Sequence, residues 1–276
     1  MDAVNFLWIV GVLGILIIGL PAFGIFKDLR FFFRYRLREK WGWYLPLERV
    51  FLDPIEQFLP YYQKLSTRDR QRFHHRVRLF IRAKQFIPRG DLKQVTPEMI
   101  GLISGIAVML TMGLPLITFP SFKRILIYPT DYYNKINRAY HKGEVNLRHG
   151  LIILSWEHFV KGVANTRDGI NLGIHELAHA LHFEDRMVNR EYNYLHASLL
   201  NYWSEHARAE RAKIESGQDH LFRPYAATND EEFFAIAVEN FFERPQEFQD
   251  DLPKLYHILS NLLKQDPITG RIGEER

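Results

Sequence analysis

A chain of 276 residues can bury one sizeable core, and its lack of cysteine removes disulfides and thiolate metal sites, leaving histidine and carboxylate as the metal-ligand types. The formal net charge is only +4, and residues 27–40 carry all of it: Lys27, Arg30, Arg34, Arg36, Arg38 and Lys40 against Asp28 and Glu39. The remaining chain is close to neutral, which argues against nucleic-acid binding and directs the basic stretch toward anionic lipid.

Residues Ala3 to Phe26 contain no charged side chain. At about 1.5 Å per residue such a run spans about 36 Å, enough to cross a hydrocarbon core of about 30 Å. A cleaved signal peptide would need basic residues ahead of the apolar run, and only Asp2 and the amino terminus precede it. With the cations following, the positive-inside rule predicts one uncleaved transmembrane helix, amino end outside, with the rest of the chain at the cytoplasmic face. Phe31, Phe32, Phe33, Tyr35, Trp41, Trp43 and Tyr44 read as an interfacial aromatic belt. The expected plan is an anchor over 1–26, a basic-aromatic connector over 27–62, a main domain over 63–265 and a flexible tail over 266–276, where Gly270 and Gly273 lie.

Pro46, Pro54 and Pro60 punctuate the connector, leaving room for one helical turn. Ser66, followed three residues later by Asp69, is a helix start, and Phe73, Val77, Phe80 and Ile81 give that helix an apolar stripe. Its arginines (68, 70, 72, 76, 78 and 82) are expected mostly to face outward. Thr96-Pro97 opens a second helix. The charge-free run Met99–Phe122 is long enough to span a membrane, but Gly101, Gly105 and Gly113 interrupt it, and Pro115 and Pro120 break it. It reads instead as a buried helix of about 15 residues followed by a loop. Arg124–Tyr128 and Gly150–Trp156 read as short buried strands, separated by a polar loop long enough to act as a flap. The strand nearest the site could bind an extended peptide along its edge.

After the turn Asp168-Gly169 comes His175-Glu176-Leu177-Ala178-His179. Residues four apart share a helix face, so both imidazoles can converge on one metal ion. Glu176 projects about 100° round the helix, beside the metal, where it can take the proton of an attacking water. A catalytic zinc site needs a third protein ligand. Downstream, Thr228 or Asn229 can cap a helix containing Asp230, Glu231, Glu232 and Glu239, any of which could supply it. Glu232 and Glu239, seven apart, share a face.

Leu-Ile-Tyr-Pro at 126–129, Leu-Ser-Trp at 154–156, Asp-Gly-x-Asn at 168–171, His-Glu-Leu-Ala-His at 175–179 and Tyr-Ala-Ala-Thr with Glu-Phe-Phe-Ala between 225 and 235 occur in that order. In these motifs the chain resembles the Mlc titration factor A family of zinc-dependent peptidases, over about two thirds of its length. The resemblance implies an α+β, zincin-like metallopeptidase domain similar to the catalytic domain of anthrax lethal factor, mostly helical with a small mixed sheet. It implies Glu232 as third ligand beside His175 and His179, one zinc ion per chain, Glu176 as general base and Tyr225 as donor to the oxyanion. His182 stands where members of that family tend to carry aspartate. The expected activity is peptide-bond hydrolysis on a peptide or protein substrate. The alternative is a membrane-tethered binding module that sequesters a transcription regulator, a partner the resemblance also implies.

Overall fold

The computed structural model describes residues 47–134, 138–188 and 195–273. Helix α1 (Arg49–Phe58) buries Leu52 and Ile55, and α2 (Pro60–Gln63) follows with Pro60 at its first position, where a missing N–H costs nothing. Two helices thus stand where one turn was expected. Helix α3 (Thr67–Ala83) begins at Ser66, whose hydroxyl accepts from Asp69 N at 3.1 Å. Phe73, Val77 and Phe80 form its buried stripe, but Arg72 and Arg76 are buried with them.

This corrects the outward-facing reading for Arg72 and Arg76, while Arg68 and Arg82 are exposed as expected. Helix α4 (Pro97–Thr111), capped by Thr96, has every residue from Gly101 to Thr111 buried. The last carbonyls of such a helix have no partner within it. Arg76 donates to Thr111 O at 2.7 Å and Leu114 O at 2.8 Å, and Arg72 donates to Met112 O at 2.7 Å. Two cations therefore satisfy the carbonyl end of the most apolar helix among the described residues, where the helix dipole favours positive charge.

Strand β1 (Gln85–Pro88) precedes α4, and β2 (Arg124–Tyr128) follows it. The stretch read as a flap contains three short strands: β3 (Tyr132–Asn134), β4 (Ala139–His141) and β5 (Gly143–Asn146). Strand β6 is Leu151–Ser155. The main sheet has the order β1-β2-β6-β5, with β1, β2 and β6 parallel and β5 antiparallel at the edge. Strands β3 and β4 pair separately. Alternation along β2 sends Ile125 and Ile127 to the main core and Leu126 to a small cluster with Tyr132 and Ile153 on the other sheet face.

The rest is helical: α5 (Trp156–Ala164), α6 (Leu172–Val188), α7 (Ala197–Glu215), a 3₁₀ turn (Pro224–Ala227), α8 (Asp230–Glu243), α9 (Pro245–Asp251) and α10 (Pro253–Leu263). Beyond Lys264, where a loose tail was expected, β7 (Gln265–Asp266) and β8 (Arg271–Ile272) make a hairpin, and Arg72 also donates to Gly273 O. Ile174, Leu177 and Leu181 of α6 and Phe233, Val238 and Phe241 of α8 are at most 2% exposed. Each such side chain contributes on the order of 1.5–3 kcal/mol of burial, so these two helices sit at the centre of the core.

The expectation of a single-pass membrane protein is corrected. Among the described residues no helix is long and apolar enough to cross a membrane, and the segment 3–26 that carried that reading lies outside them. The charge-free run after Met99 folds as a buried 15-residue helix.

Candidate metal centre

Helix α6 begins where Asn171 Oδ1 accepts from Ile174 N at 3.1 Å and Asn171 O accepts from His175 N at 2.9 Å. Gly173, in its first turn, lies so close to α5 that an added Cβ would stand 2.5 Å from the Phe159 ring. This seating brings the next residues against α8. Helix α8 begins at Asn229, whose Oδ1 accepts from Glu232 N at 2.8 Å, and Glu232 in that first turn points back at α6.

The two imidazoles and Glu232 converge, with one donor atom from each within 4.8 Å of the others. His175 Nε2 lies 3.1 Å from His179 Nε2 and 3.1 Å from Glu232 Oε2, and His179 Nε2 lies 3.4 Å from Glu232 Oε1. The rings are near-perpendicular, with centroids 4.7 Å apart. His175 Nδ1 meets Glu239 Oε1 at 2.8 Å. A carboxylate there selects the tautomer with its proton on Nδ1 and presents the Nε2 lone pair to the cluster. Glu232 Oε2 is buried and aligned with no donor despite its closeness to His175. Two ring nitrogens and a carboxylate oxygen aimed at one point form a donor set suited to a divalent cation such as zinc.

The electrostatics match this crowding. Burial disfavours charge on His175, but the carboxylates of Glu232 and Glu239 beside it outweigh that and raise its pKa to about 10. Burial alone would raise Glu232, yet the two histidines hold its carboxyl well below the usual range. Glu176, 5% exposed, is pushed up to about 8, chiefly by burial and then by Glu232, Glu239 and Glu144 against the lowering effect of His175. Its carboxyl rests against the edge strand at Gly143, where an added Cβ would stand 2.6 Å from Glu176 Cδ.

Tyr225, in the 3₁₀ turn, is 54% exposed. Its pKa is raised by partial burial and by the nearby carboxylates of Glu232 and Glu176. The structure therefore brings together His175, His179 and Glu232, with Glu176 next to the first of them on α6 and Tyr225 on the turn before α8. Asp230 and Glu231 point elsewhere: Asp230 pairs with Arg211, and Glu231 with Arg186 at 3.0 Å. Glu239 is no member of the donor trio; it stands behind His175. His182 packs on the Phe234 ring at 5.3 Å with its Nδ1 buried and unpartnered, and His220 pairs with Glu210 at 3.3 Å. Sequence reasoning missed Arg223, which donates to Glu239 at 2.7 Å, and Gly143. The signal for Glu239 was its seven-residue spacing from Glu232.

The sequence model of the glucose-regulated metallo-peptidase M90 family matches residues 36–264. The chain belongs to that family. Among its relatives, an uncharacterised protein of Synechocystis sp. is 29% identical over 246 residues, covering 84% of this chain and 89% of the relative. Mlc titration factor A of Edwardsiella ictaluri is 26% identical over 231 residues, or 76% and 85% of the two chains. Mlc titration factor A of Pectobacterium atrosepticum is 24% identical over 233 residues, or 76% and 84%. The M90 match spans every residue of the centre described above, and the resemblance to the Mlc titration factor A family seen in the motifs holds.

Proposed function

We propose that this M90 chain is a zinc-dependent peptidase of zincin-like architecture, holding one zinc ion through His175, His179 and Glu232. The observation that carries the reading is the convergence of those three donors with a buried carboxylate, Glu176, one residue along the same helix from the first of them. A zinc ion bound there supplies Lewis-acid polarisation of the scissile carbonyl and acidifies water at the site. Glu176 accepts the proton of the attacking water and delivers it to the leaving amine, a role suited to a carboxyl with a raised proton affinity. Tyr225, exposed on its turn and close enough to Glu232 and Glu176 to feel their charge, donates to the oxyanion of the tetrahedral intermediate. Glu239 keeps the His175 ring oriented. Strand β5, at the sheet edge and packed on α6, offers its free backbone side to an extended substrate.

The test is metal analysis and cleavage of a peptide library by the full chain, beside Glu176→Gln. One zinc per chain in both proteins, with cleavage falling by about 10²–10⁴-fold in the variant, supports the reading. Absence of stoichiometric zinc overturns both ligand set and mechanism. A second reading rests on the name shared by relatives, Mlc titration factor A: binding of a transcription regulator as the main role. Bound zinc with no cleavage of any library member would favour it.

A further inference from the structure

Glu239 is 1% exposed and accepts on both oxygens: Oε2 from Asn171 N at 2.6 Å, Oε1 at 2.8 Å from His175 Nδ1. A carboxylate sealed that deeply is costly unless a cation and several donors meet it. Glu243, one turn further along α8, holds Asn171 Nδ2 at 2.9 Å, so the nearest neighbour along the helix is another acid. The compensating charge comes from outside the two helices. Arg223 Nη2 reaches Glu239 Oε1 at 2.7 Å and Nη1 reaches Oε2 at 3.3 Å, while Nη1 also donates to Gly169 O at 2.7 Å.

Two parallel contacts to one carboxylate fix its plane, which a single point charge cannot do. The third contact ties the same guanidinium to the turn that leads into α6. Arg223 escapes full desolvation because its far side forms part of the wall of a cavity of about 560 Å³, shared with Arg244 and Phe222, and 28% of its side chain stays exposed. One residue thus joins the loop before the metal helix, the carboxylate behind His175 and an open cavity.

We infer that Arg223 is a positioning residue of the metal centre, holding Glu239 in the plane that orients His175 Nε2 toward the metal. The inference rests on the zinc reading proposed above and adds a residue that never touches metal or substrate. Replacement of groups that brace a metal-ligating histidine weakens metal binding by about 10–100-fold, so the effect is read in zinc affinity, independent of any cleavage.

The experiment is competition for zinc between the full chain and a chromogenic chelator, with thermal melts of the metal-free proteins as folding controls. Arg223→Gln is expected to weaken zinc binding about 10-fold or more. Arg223→Lys, which keeps the charge and loses the two-point grip, is expected to fall between it and the unaltered chain. The double variant Arg223→Gln/Glu239→Gln is expected to bind no more weakly than Glu239→Gln alone, because the arginine acts through that carboxylate. Arg244→Gln, which removes donors to Asn240 and Leu221 O on the same cavity without reaching Glu239, is expected to leave zinc affinity unchanged.

Unaltered affinity in Arg223→Gln overturns the inference, as does a double variant whose losses multiply or an Arg244→Gln loss of equal size. If Arg223→Gln fails to fold, unaltered affinity in Arg223→Lys overturns it. An unaltered chain that binds no zinc overturns the site reading itself, a result distinct from all of these.

Discussion

Replacing Gly143 by alanine tests the catalytic reading without touching any proposed ligand. Gly143 sits at the start of β5, outside the left-handed backbone region, so a methyl brings no backbone strain. Its Cβ would stand 2.6 Å from Glu176 Cδ and 2.7 Å from Cγ, where ordinary contact begins at 3.4 Å. Glu176 Oε1 would be nearer still, at 2.4 Å, so the carboxyl must retreat by about 1.0 Å, the difference between that and 3.4 Å. A displacement near 1 Å costs on the order of 10²-fold in rate, equivalent to about 2.7 kcal/mol of transition-state stabilisation. The obstructing atoms belong to the end of a flexible side chain, so the melting temperature is expected to change little and zinc content not at all. The assay is kcat/KM on a cleavable peptide, with metal analysis and a thermal melt of the same preparation. Cleavage within twofold of the unaltered chain, with the metal retained, would refute either the close approach of Glu176 to β5 or its role as base.

Tyr225→Phe is expected to lower kcat/KM by about 10²-fold with unchanged zinc content, as loss of one oxyanion donor does; equal rates would remove the phenol from the mechanism. Glu243 gives a pH-dependent stability. Burial raises it to about 7 from 4.5, with Glu239 and Asp168 adding to the rise and Asn171 and Gly169 opposing it. A folded pKa above the unfolded one means that the contribution is full below pH 4.5 and lost as pH rises to about 7. The span corresponds to at most about 3 kcal/mol. Glu243→Gln should therefore flatten the stability–pH curve and exceed the unaltered chain at pH ~8. Urea titrations in chelator from pH ~5 to ~8 check this, and parallel curves would sink it. Arg76→Leu leaves Leu114 O without its donor, strips the charged donor from Thr111 O, which keeps only Leu114 N at 3.0 Å, and is expected to cost about 3 kcal/mol. That is a fall in Tm of about 10 °C for a domain of this size, and a shift under ~2 °C would contradict the capping role.

Local chemistry made the helix starts legible. Ser66, Thr96 and Asn229 each accept a backbone N–H of the first turn, an interaction written in residue type and spacing. The metal pair was legible for the same reason, since two histidines four apart on a helix need no tertiary information to share a face. The third ligand was not. Asp230, Glu231 and Glu232 all fit a capped acidic turn, Glu239 shares a face with Glu232, and only the packing of α8 against α6 separates the donor from the brace behind it. The arginines of α3 misled because charge pattern predicts solvent, while the open carbonyls at the end of α4 reward burial of Arg72 and Arg76. Strands β3 to β5 escaped notice because each is four residues or fewer, too short for alternation to register.

Glu232 and the brace of His175, Glu239, lie seven residues apart on α8, about 10 Å along its axis. The histidines occupy a second helix. The centre therefore behaves as two jaws, whose gap is set by apolar packing together with the bonds that Glu239 and Glu243 make to Asn171 and His175. Buried alanines stand on both jaws, Ala178 and Ala180 on one and Ala235 and Ala237 on the other. The spacing of the three donors thus depends on how α6 packs against α8 as well as on the donors themselves.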